Sequence, residues 1–327
     1  MKAAWYETLG PAETVLTVGD IPTPTPAPGE VLVRLAASGI NPSDVKKRAG
    51  WHGGALEFPR IVPHSDGAGV IEAVGDGVPL DRIGQHVWVY NAQWERPNGT
   101  AAEYVALPAA LAVPLPDGVG FEEGACLGIP ACTAHYAVTG DGPVEGRTVL
   151  VQGGAGAVGF YAVQMAALSG ATVIATVSSP EKAAIARAGG AHHTVDYKRD
   201  DVGAAVLDLT GGAGVDHIVE VDLGANIATD TALLKRRGSV AAYSSTSRPR
   251  FEFDYYGFGY KGARLRFVQV YILTEAERRT AVADLTRWMT AGRLRHRVAE
   301  AIPLDAIAEA HHRLEAGGVT GNIVVTC

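Results

Sequence analysis

A glycine-rich hexapeptide is the part of this sequence whose residue types and spacing most clearly predict chemistry. It directly follows a predicted strand and opens a predicted helix, and its residues are Gly154, Ala155, Gly156, Ala157, Val158 and Gly159. In that setting the G-x-G-x-x-G pattern indicates a dinucleotide site, because the glycines permit a tight turn and close approach of the backbone to a pyrophosphate. The free N–H groups and positive dipole of the helix N-terminus favour the phosphates. The alternative is a tight turn without a ligand.

The end of the next predicted strand bears on which dinucleotide would bind. An NAD site places an Asp or Glu about 20 residues beyond the glycine loop, against the ribose hydroxyls. This chain has TVSSPEK instead, with Ser178, Ser179 and Lys182. Two hydroxyls and a lysine can bind a 2′-phosphate, which a carboxylate would repel, so the sequence predicts NADP(H). The same residues could form only a helix cap and a solvated lysine, although capping does not exclude phosphate binding.

Two patterns of secondary structure surround these motifs. Up to about residue 120, short apolar or alternating runs are separated by Gly, Pro, Asn and Asp, which is typical of a mostly β domain. A helix is then predicted over 122–138, and beyond it near-continuous apolar strands alternate with helices. This alternation indicates a parallel sheet covered on both faces. Its strands are predicted at 148–152, 171–177, 215–221, 239–242 and 265–270.

Composition excludes several classes of protein. The chain has 327 residues, 47% of them hydrophobic, and a net charge of −7, which indicates a globular protein and argues against a nucleic-acid surface. Its three cysteines, Cys126, Cys132 and Cys327, form no C-x-x-C pair, so neither a disulfide framework nor a Cys₄ zinc site is expected. Cys126 and Cys132 are interpreted as small buried hydrophobes. Without a signal-like or membrane-length apolar run, a cytoplasmic protein with no membrane partner is expected.

The order of several motifs along nearly the whole chain resembles the zeta-crystallin-like quinone oxidoreductases of the medium-chain dehydrogenase/reductase superfamily. These motifs are GINPSD, SDGAGVIEAVGDGV, GIPACTAHYAV, VLVQGGAGAVG and TGNIVV. The resemblance implies an α/β fold with a GroES-like, mostly β catalytic domain at 1–124 and a Rossmann NADP(H)-binding domain at 125–264. The segment 265–327 would return to the catalytic domain. A homodimer or homotetramer, and hydride transfer from NADPH to a quinone without a metal, are also implied.

The resemblance assigns further site residues. Asn41 and Thr133 would lie near the nicotinamide as catalytic residues, and Tyr197 would cover the 2′-phosphoadenosine. Asn322 occupies the position of a lysine that is usual in the family, which removes a cation from the cofactor rim. Two other segments would pass beneath the cofactor and line the nicotinamide, and their residues are Ala242, Tyr243, Ser244 and Ser245, then Val268, Gln269 and Val270.

The expected substrate loop departs from the family pattern. Family members usually have tyrosines where this chain has Lys46 and His52, and Trp51 lies beside the second position. The substrate pocket is therefore expected to differ in polarity and shape. His52 could donate a proton near neutral pH, and a surface-loop histidine is the equally open alternative.

Metal-dependent relatives bind zinc through a Cys, a His–Glu pair and a later Cys. The comparable positions here are Asn41, Ser65–Asp66 and Ile129, and Cys132 lies one helical turn too far along. His64 stands where relatives tend to have glycine, so its segment is interpreted as a tight turn into a strand, with Asp66 as a structural hydrogen-bonding group. No metal is expected. Two other histidine pairs are interpreted as surface or packing residues, namely His192–His193 and His311–His312.

Three functions remain open at this point. The first is NADPH-dependent reduction of a quinone or another electrophilic carbonyl compound, because a quinone is a strong electrophile that needs proximity and an oriented stack more than a Lewis acid. The second is NADPH-dependent reduction of activated C=C bonds, in enones or enoyl thioesters. The third is NADPH binding without turnover, whereas the acidic charge balance argues against binding to RNA.

Overall fold

The computed structural model describes the backbone of residues 1–327 and their side chains, except that of His52. The chain divides into two compact units, Met1–Pro130 with Val282–Cys327, and Ala131–Ala281. The predicted α/β class, with a mostly β domain and a parallel-sheet domain, is confirmed. The functional domain boundaries expected at 124/125 and 264/265 stay a prediction. Within the described residues, no helix is both long and apolar enough to cross a membrane.

The regular elements are numbered along the chain. The strands are β1 Lys2–Trp5, β2 Thr17–Asp20, β3 Glu30–Ile40, β4 Asp66–Val74, β5 His86–Val89, β6 Tyr104–Pro108, β7 Ala112–Pro114, β8 Thr148–Val151, β9 Thr172–Val177, β10 His193–Asp196, β11 Val215–Glu220, β12 Leu234–Ala242, β13 Arg264–Phe267, β14 Val298–Pro303 and β15 Asn322–Thr326. The α-helices are α1 Ala12–Val15, α2 Pro42–Arg48, α3 Phe121–Gly124, α4 Cys132–Thr139, α5 Ala157–Leu168, α6 Pro180–Ala188, α7 Val202–Leu209, α8 Leu223–Leu233, α9 Tyr255–Gly259, α10 Glu275–Thr290 and α11 Ile307–Ala316.

The first unit is organised around the long strand β3. This strand pairs antiparallel with β4, β6 and β15. Six strands of the seven-stranded sheet follow the order β14-β15-β3-β4-β5-β7, and the seventh, β6, pairs with β3 outside this order. Its side chains Val31, Val33 and Leu35 join Ile71 and Val87 in a buried apolar core. Since burying a large aliphatic side chain stabilises a fold by about 1.5–3 kcal/mol, this cluster fixes the register of the strands whose ends bear Asn41 and Asp66.

The second unit contains a six-stranded parallel sheet of order β10-β9-β8-β11-β12-β13. Its strands are buried almost continuously, and Val149, Leu150 and Val151 of β8 are all 0% exposed. Such strands are typical of a sheet covered by helices on both faces, as predicted. Because the strands are parallel, their carboxyl ends share one edge, where the glycine loop, the TVSSPEK segment and residues 242–245 all lie.

The prediction of a single helix over 122–138 was wrong. The structure divides it into α3, a π-helical turn at Leu127–Ala131 and α4. Pro130 lies in this turn and has no N–H to donate, which disfavours an uninterrupted α-helix. The backbone N–H of Ile129 instead donates to Asp66 Oδ2 at 2.8 Å. A contact 63 residues away in sequence therefore overrides the local helical pattern.

The strand predicted at 265–270 is shorter than expected. The observed strand β13 ends at Phe267, and Val270 begins a 3₁₀ turn. This edge strand pairs only with β12, which itself ends at Ala242. Val268 makes one more bond, from its N–H to Ala242 O at 2.8 Å, and the ladder then has no partner strand to follow.

The prediction for two of the cysteines is confirmed. Cys126 and Cys132 are both buried, and Cys126 Sγ donates to the carbonyl oxygen of Glu122 at 3.2 Å. Burial raises the pKa of the Cys126 thiol, and the nearby carboxyl group of Asp66 raises it further.

Candidate active site

The glycine loop between β8 and α5 has the geometry of a close-packed turn. Gly153 has a left-handed φ of +69°, which favours glycine. A Cβ built on Gly159 would lie only 2.2 Å from Gly153 O, and one on Gly154 would lie 2.6 Å from the Cβ of Ala175. The loop is fixed to β9 because Gly154 N donates to Thr176 O at 2.9 Å. Side chains at these two glycines would therefore push the loop away from the sheet.

The first turn of α5 offers backbone donors that the helix does not use. Gly156 is the N-cap, with extended backbone, and no side chain in the described part of the chain caps it. Phe160 N donates to Gly156 O, so the N–H groups of residues 157–159 precede the first helical bond. A Cβ built on Gly156 would have its nearest neighbour, Gly153 O, at 3.4 Å. This cradle of amides fits the pyrophosphate of a dinucleotide.

The TVSSPEK segment forms a helix cap, which was one of the two interpretations. Ser179 Oγ accepts from Lys182 N at 3.3 Å, and Pro180 occupies the first helical position of α6. Ser178 directly follows β9, and Tyr197 directly follows the paired strand β10. The backbone N–H of Tyr197 donates to Val177 O at 3.0 Å. Ser178 and Tyr197 are therefore neighbours at the sheet edge, and 51% of Tyr197 is exposed.

A carboxylate that the sequence argument did not consider lies in the same segment. Glu181 is in the first turn of α6, and a hydrogen bond from the Ser179 hydroxyl lowers the pKa of its carboxyl. It therefore stays ionised close to Lys182, where it would oppose a bound 2′-phosphate. The E of SSPEK could have indicated this from the sequence alone.

The loop that follows β12 is fixed to the start of α8. Tyr243 N donates to Glu220 O at 3.0 Å, and Leu223 N donates to Ser244 O at 3.1 Å. Ser245 Oγ accepts from Gly224 N at 2.9 Å. The hydroxyl of Ser245 thus has a structural partner. The predicted cofactor segment 242–245 is held by hydrogen bonds at the carboxyl edge of the sheet.

The second predicted nicotinamide segment alternates in burial. Val268 and Val270 are buried and Gln269 is exposed. Thr133, in α4 of the same unit, is 6% exposed. In the first unit, Asn322 is 7% exposed, and its side-chain Nδ2 donates to Arg297 O at 3.3 Å. The amide of Asn322 therefore anchors β15 to a neighbouring turn instead of supplying the cation of its relatives.

Two departures from the expected substrate loop contact each other. Lys46 Nζ lies 4.2 Å from the ring centre of Trp51, a cation–π contact. Trp51 remains 46% exposed, so the loop presents an aromatic surface close to a fixed positive charge. The side chain of His52, predicted as a third catalytic residue, lies outside the described residues.

A hydrogen-bonded cluster in the first unit holds Asn41. Its backbone N–H donates to Asp44 Oδ2 at 2.7 Å and its side-chain Nδ2 to Asp66 Oδ2 at 2.8 Å. Ile129 N donates to the same Asp66 oxygen at 2.8 Å. Burial raises the pKa of Asp44 to about 7 and raises that of Asp66 well above its usual value. Asp66 is therefore the structural hydrogen-bonding group that was predicted, and its burial disfavours the ionised form.

Comparisons with known proteins give the family of the chain. The model of the alcohol dehydrogenase GroES-like domain matches residues 27–117, and that of the zinc-binding dehydrogenases matches residues 157–287. Human quinone oxidoreductase is 30% identical over 327 residues, covering 99% of this chain and 97% of the relative. The chain belongs to the quinone oxidoreductase family, within the medium-chain dehydrogenase/reductase superfamily.

Two solved structures extend this likeness. A mycobacterial protein complexed with NADPH has a TM-score of 0.87 at 30% identity, with 100% of both chains covered. A 2-haloacrylate reductase has a TM-score of 0.86 at 28% identity, covering 100% of this chain and 99% of the other. Family membership confirms the predicted enzyme class, an NAD(P)-dependent oxidoreductase. The mycobacterial complex is in line with the predicted NADP(H) cofactor.

Zinc, which the name of one matching family model implies, does not fit the residues at the expected positions. The Asn41 amide nitrogen is a donor already bonded to Asp66, and Ile129 has no ligating side chain. Asp66 accepts two hydrogen bonds on one oxygen, and its other oxygen packs against Gly128. One carboxyl without Cys or His partners does not make a zinc site. In this quinone oxidoreductase relative, hydrogen bonds occupy the place of the metal ligands.

The ring nitrogens of His64 are also occupied by hydrogen bonds. Its backbone is left-handed, with φ +74°, as the predicted tight turn requires. The side chain is 0% exposed, and its ring lies between Ser38 Oγ, at 2.8 Å from Nδ1, and His311 Nε2, at 3.1 Å from Nε2. The expectation that His311 is a packing residue is confirmed, because it is also 0% exposed. The sequence contained no signal for this pair.

Proposed function

We propose that this member of the family is an NADPH-dependent, metal-independent reductase of quinones. The observation that supports this most directly is the hydrogen-bonded cluster around Asp66, which occupies the positions where metal-dependent relatives have their zinc ligands. A quinone is an electrophile strong enough to accept hydride without a Lewis acid, provided that it is held close and oriented. A site without metal ligands can therefore carry out the proposed reduction of a quinone.

We propose that the second unit binds the cofactor, which supplies the hydride when bound. The unused amides at the start of α5 would bind the pyrophosphate, and Ser178, Lys182 and Tyr197 would contact the 2′-phosphoadenosine. The segments 242–245 and 268–270 would support the nicotinamide, with the buried Val268 and Val270 excluding water from its ring. Exclusion of water strengthens the electrostatic contacts of the bound phosphates and ring.

We propose that substrate selectivity comes from the loop containing Lys46 and Trp51. Trp51 offers a flat aromatic surface for a planar ring, and the charge of Lys46, 4.2 Å from that surface, would attract an electron-rich carbonyl oxygen. Asn41 and Thr133 would position the reacting groups. The proton needed after reduction would come from water or from His52.

The second candidate function is reduction of activated C=C bonds. Two observations favour it, namely the likeness to a 2-haloacrylate reductase and the replacement of the usual tyrosines by Lys46 and His52. Both candidates use the same cofactor site, so they differ only in the acceptor.

Parallel assays would test both proposals. Purified protein would be given NADPH with 1,4-benzoquinone, 9,10-phenanthrenequinone, simple enones or 2-haloacrylate, and NADPH loss would be followed. We expect the highest kcat/KM with the quinones. Faster turnover of the enones or haloacrylate would transfer the assignment to C=C reduction. NADPH binding by fluorescence without turnover of any acceptor would indicate a non-catalytic binding protein.

A further inference from the structure

A row of buried polar side chains lies beneath the glycine loop of the second unit. Thr176, Gln152 and Glu220 occupy or directly follow the carboxyl ends of three adjacent strands, β9, β8 and β11, and they are 1%, 5% and 0% exposed. Asp230 of α8, also 0% exposed, completes the row. Four polar groups at this depth are stable only if their hydrogen bonds are satisfied.

The direction of each hydrogen bond in this row follows from the loop itself. Gly153 N–H donates to Thr176 Oγ1 at 2.9 Å, so the hydroxyl hydrogen of Thr176 is available for Gln152 Oε1, 2.8 Å away. The amide nitrogen of Gln152 must then point to the opposite side, and it donates to Asp230 Oδ1 at 3.2 Å. The orientation of the Gln152 amide is thereby fixed by the glycine loop.

The row ends in two buried carboxyl groups, those of Glu220 and Asp230, that interact with each other. Glu220 Oε1 accepts from the backbone N–H of Asp222 and from Asn226 Nδ2, the latter at 2.9 Å. Glu220 Oε2 and Asp230 Oδ2 are buried and have no donor among the described residues. A hydrogen bond between carboxyl groups needs a proton, which belongs on Asp230 because Glu220 already accepts two donors.

We propose that Glu220 and Asp230 share a single proton and that this proton positions the glycine loop for the phosphates of the cofactor. Both are positioning residues, since they act through Gln152 and Thr176 on Gly153. The proposal rests on the proposed cofactor site in this unit. It goes beyond that function by assigning the loop geometry, and the pH range in which the loop binds, to a buried acid pair.

The groups that face Glu220 and Asp230 favour one shared proton over two protons or none. Around Glu220 lie the Asp222 carboxyl and the Tyr243 hydroxyl, and around Asp230 lie the Gln152 amide and the Glu220 carboxyl itself. None of these is a cation. Loss of the proton would place two like charges side by side beneath the loop, and the resulting repulsion would open the row. Uptake of a second proton would leave Glu220 as a donor without an acceptor.

Substitution by amides gives a direct test, because an amide supplies the shared hydrogen permanently. In Asp230→Asn, Oδ1 would accept from Gln152 and Nδ2 would donate to Glu220. In Glu220→Gln, the amide would donate to Asp230. In the double variant, two amide donors would face each other. We therefore expect NADPH affinities within twofold of wild type for each single variant, and about tenfold weaker binding for the double variant, a change that corresponds to about 1.4 kcal/mol.

The pH profile separates this role from a merely structural one. NADPH dissociation constants would be measured by fluorescence from mildly acidic to alkaline pH. Wild-type affinity is expected to fall at alkaline pH as the proton is lost, and this fall should be absent from Asp230→Asn and Glu220→Gln. Asp208→Asn, an exposed acid of α7, is the matched control and should keep the wild-type profile. Single variants that retain the alkaline fall, or that lose tenfold in affinity at neutral pH, would overturn the proposal.

A measurement on the protein without cofactor keeps the two proposals distinguishable. Infrared difference spectra of wild type against each single variant should show the loss of one neutral carboxylic acid band at neutral pH. If this band is lost while wild type fails to bind NADPH, the cofactor assignment fails and the shared proton stands. If the spectra show no loss, the shared proton is excluded whatever the protein binds.

Discussion

The imidazole rings of His64 and His311 meet through their Nε2 atoms, which lie 3.1 Å apart, and the ring centres are 5.2 Å apart. Arg48 determines which nitrogens have hydrogens, because a guanidinium only donates and its Nε points at His311 Nδ1 from 3.3 Å. His311 must then donate to His64, and His64 to Ser38. The chain ends as Ser38 donates to Thr100, 2.7 Å away, and Thr100 donates to the carbonyl oxygen of Asp66. Both histidines are therefore neutral.

This histidine pair predicts loss of stability in acid. Burial lowers the pKa of His64 to about 3 and that of His311 to about 2, against 6.5 in the unfolded chain. Below 6.5 the unfolded state binds more protons than the folded state, so the free energy of unfolding falls as pH falls. The contribution is fully present above pH 6.5 and decreases by about 1.4 kcal/mol per pH unit for each histidine until the folded pKa is approached.

The raised pKa values of Asp44 and Asp66 act in the opposite direction, so the histidine effect is best measured as a difference. Urea unfolding of wild type and His311→Gln would be compared at neutral pH and at about pH 5. We expect the variant to be less stable at neutral pH but to have a shallower dependence on pH. His312→Gln, at the neighbouring exposed position, should keep the wild-type slope. Equal slopes for wild type and His311→Gln would contradict the neutral pair.

The opposing charges at the start of α6 predict a change in cofactor preference. Lys182→Ala should weaken NADPH binding by about 1.5 kcal/mol, roughly tenfold, with little effect on NADH, because only NADPH has the 2′-phosphate. Glu181→Gln should strengthen NADPH binding by removing an adjacent carboxylate. Dissociation constants for both cofactors, measured by fluorescence, give the ratio. Arg236→Ala, exposed at the opposite edge of the sheet, serves as the control. If Lys182→Ala kept the wild-type ratio of NADPH to NADH dissociation constants, Lys182 would not bind the 2′-phosphate.

Gly156 allows phosphate binding to be separated from loop packing. Its position is open, with the nearest atom 3.4 Å from a built Cβ, so Gly156→Asp should fold while its charge opposes phosphates at the amides of α5. We expect NADPH affinity to fall at least tenfold, with the thermal midpoint close to that of Gly156→Ala, the uncharged control. Gly159→Ala should instead destabilise the fold, because its Cβ would overlap Gly153 O. Normal NADPH binding by Gly156→Asp would refute the assigned phosphate site.

The cluster around Asp66 predicts different results for two substitutions. Asp66→Asn should fold normally, because its amide oxygen can still accept from Asn41 Nδ2 and Ile129 N. Asp66→Ala should lose about 1–3 kcal/mol of unfolding free energy, as both donors become unsatisfied. Dialysis against a chelator should leave quinone turnover unchanged, and metal analysis would accompany it. Loss of turnover that zinc restores would show that the cluster is not a substitute for the metal.

Local signals allowed part of the site to be predicted. The strand, glycine loop and helix at 148–168 are specified by neighbouring residues, and the cap at Ser179 follows from the S-P-E pattern. The turn at Ile129 could not be predicted, because it depends on Asp66, and the buried position of His64 depends on His311 at a distance of 247 residues. The acid pair Glu220 and Asp230 was missed because a strand end and a helix interior meet only after the sheet has formed. The glycine loop and the helix cap were thus accessible from local sequence, and the hydrogen bonds that join distant segments were not.

The buried thiols have a consequence for the chemical durability of the protein. Quinones alkylate cysteines through the thiolate, and burial keeps Cys126 in its thiol form. Cys327 is an exposed residue, but desolvation of its thiol group raises its pKa to about 12. Cys132 is buried in α4. An enzyme of this kind could therefore work at high concentrations of an electrophile without being arylated by it. Protein incubated with excess benzoquinone should gain few covalent adducts by mass spectrometry unless it is first unfolded.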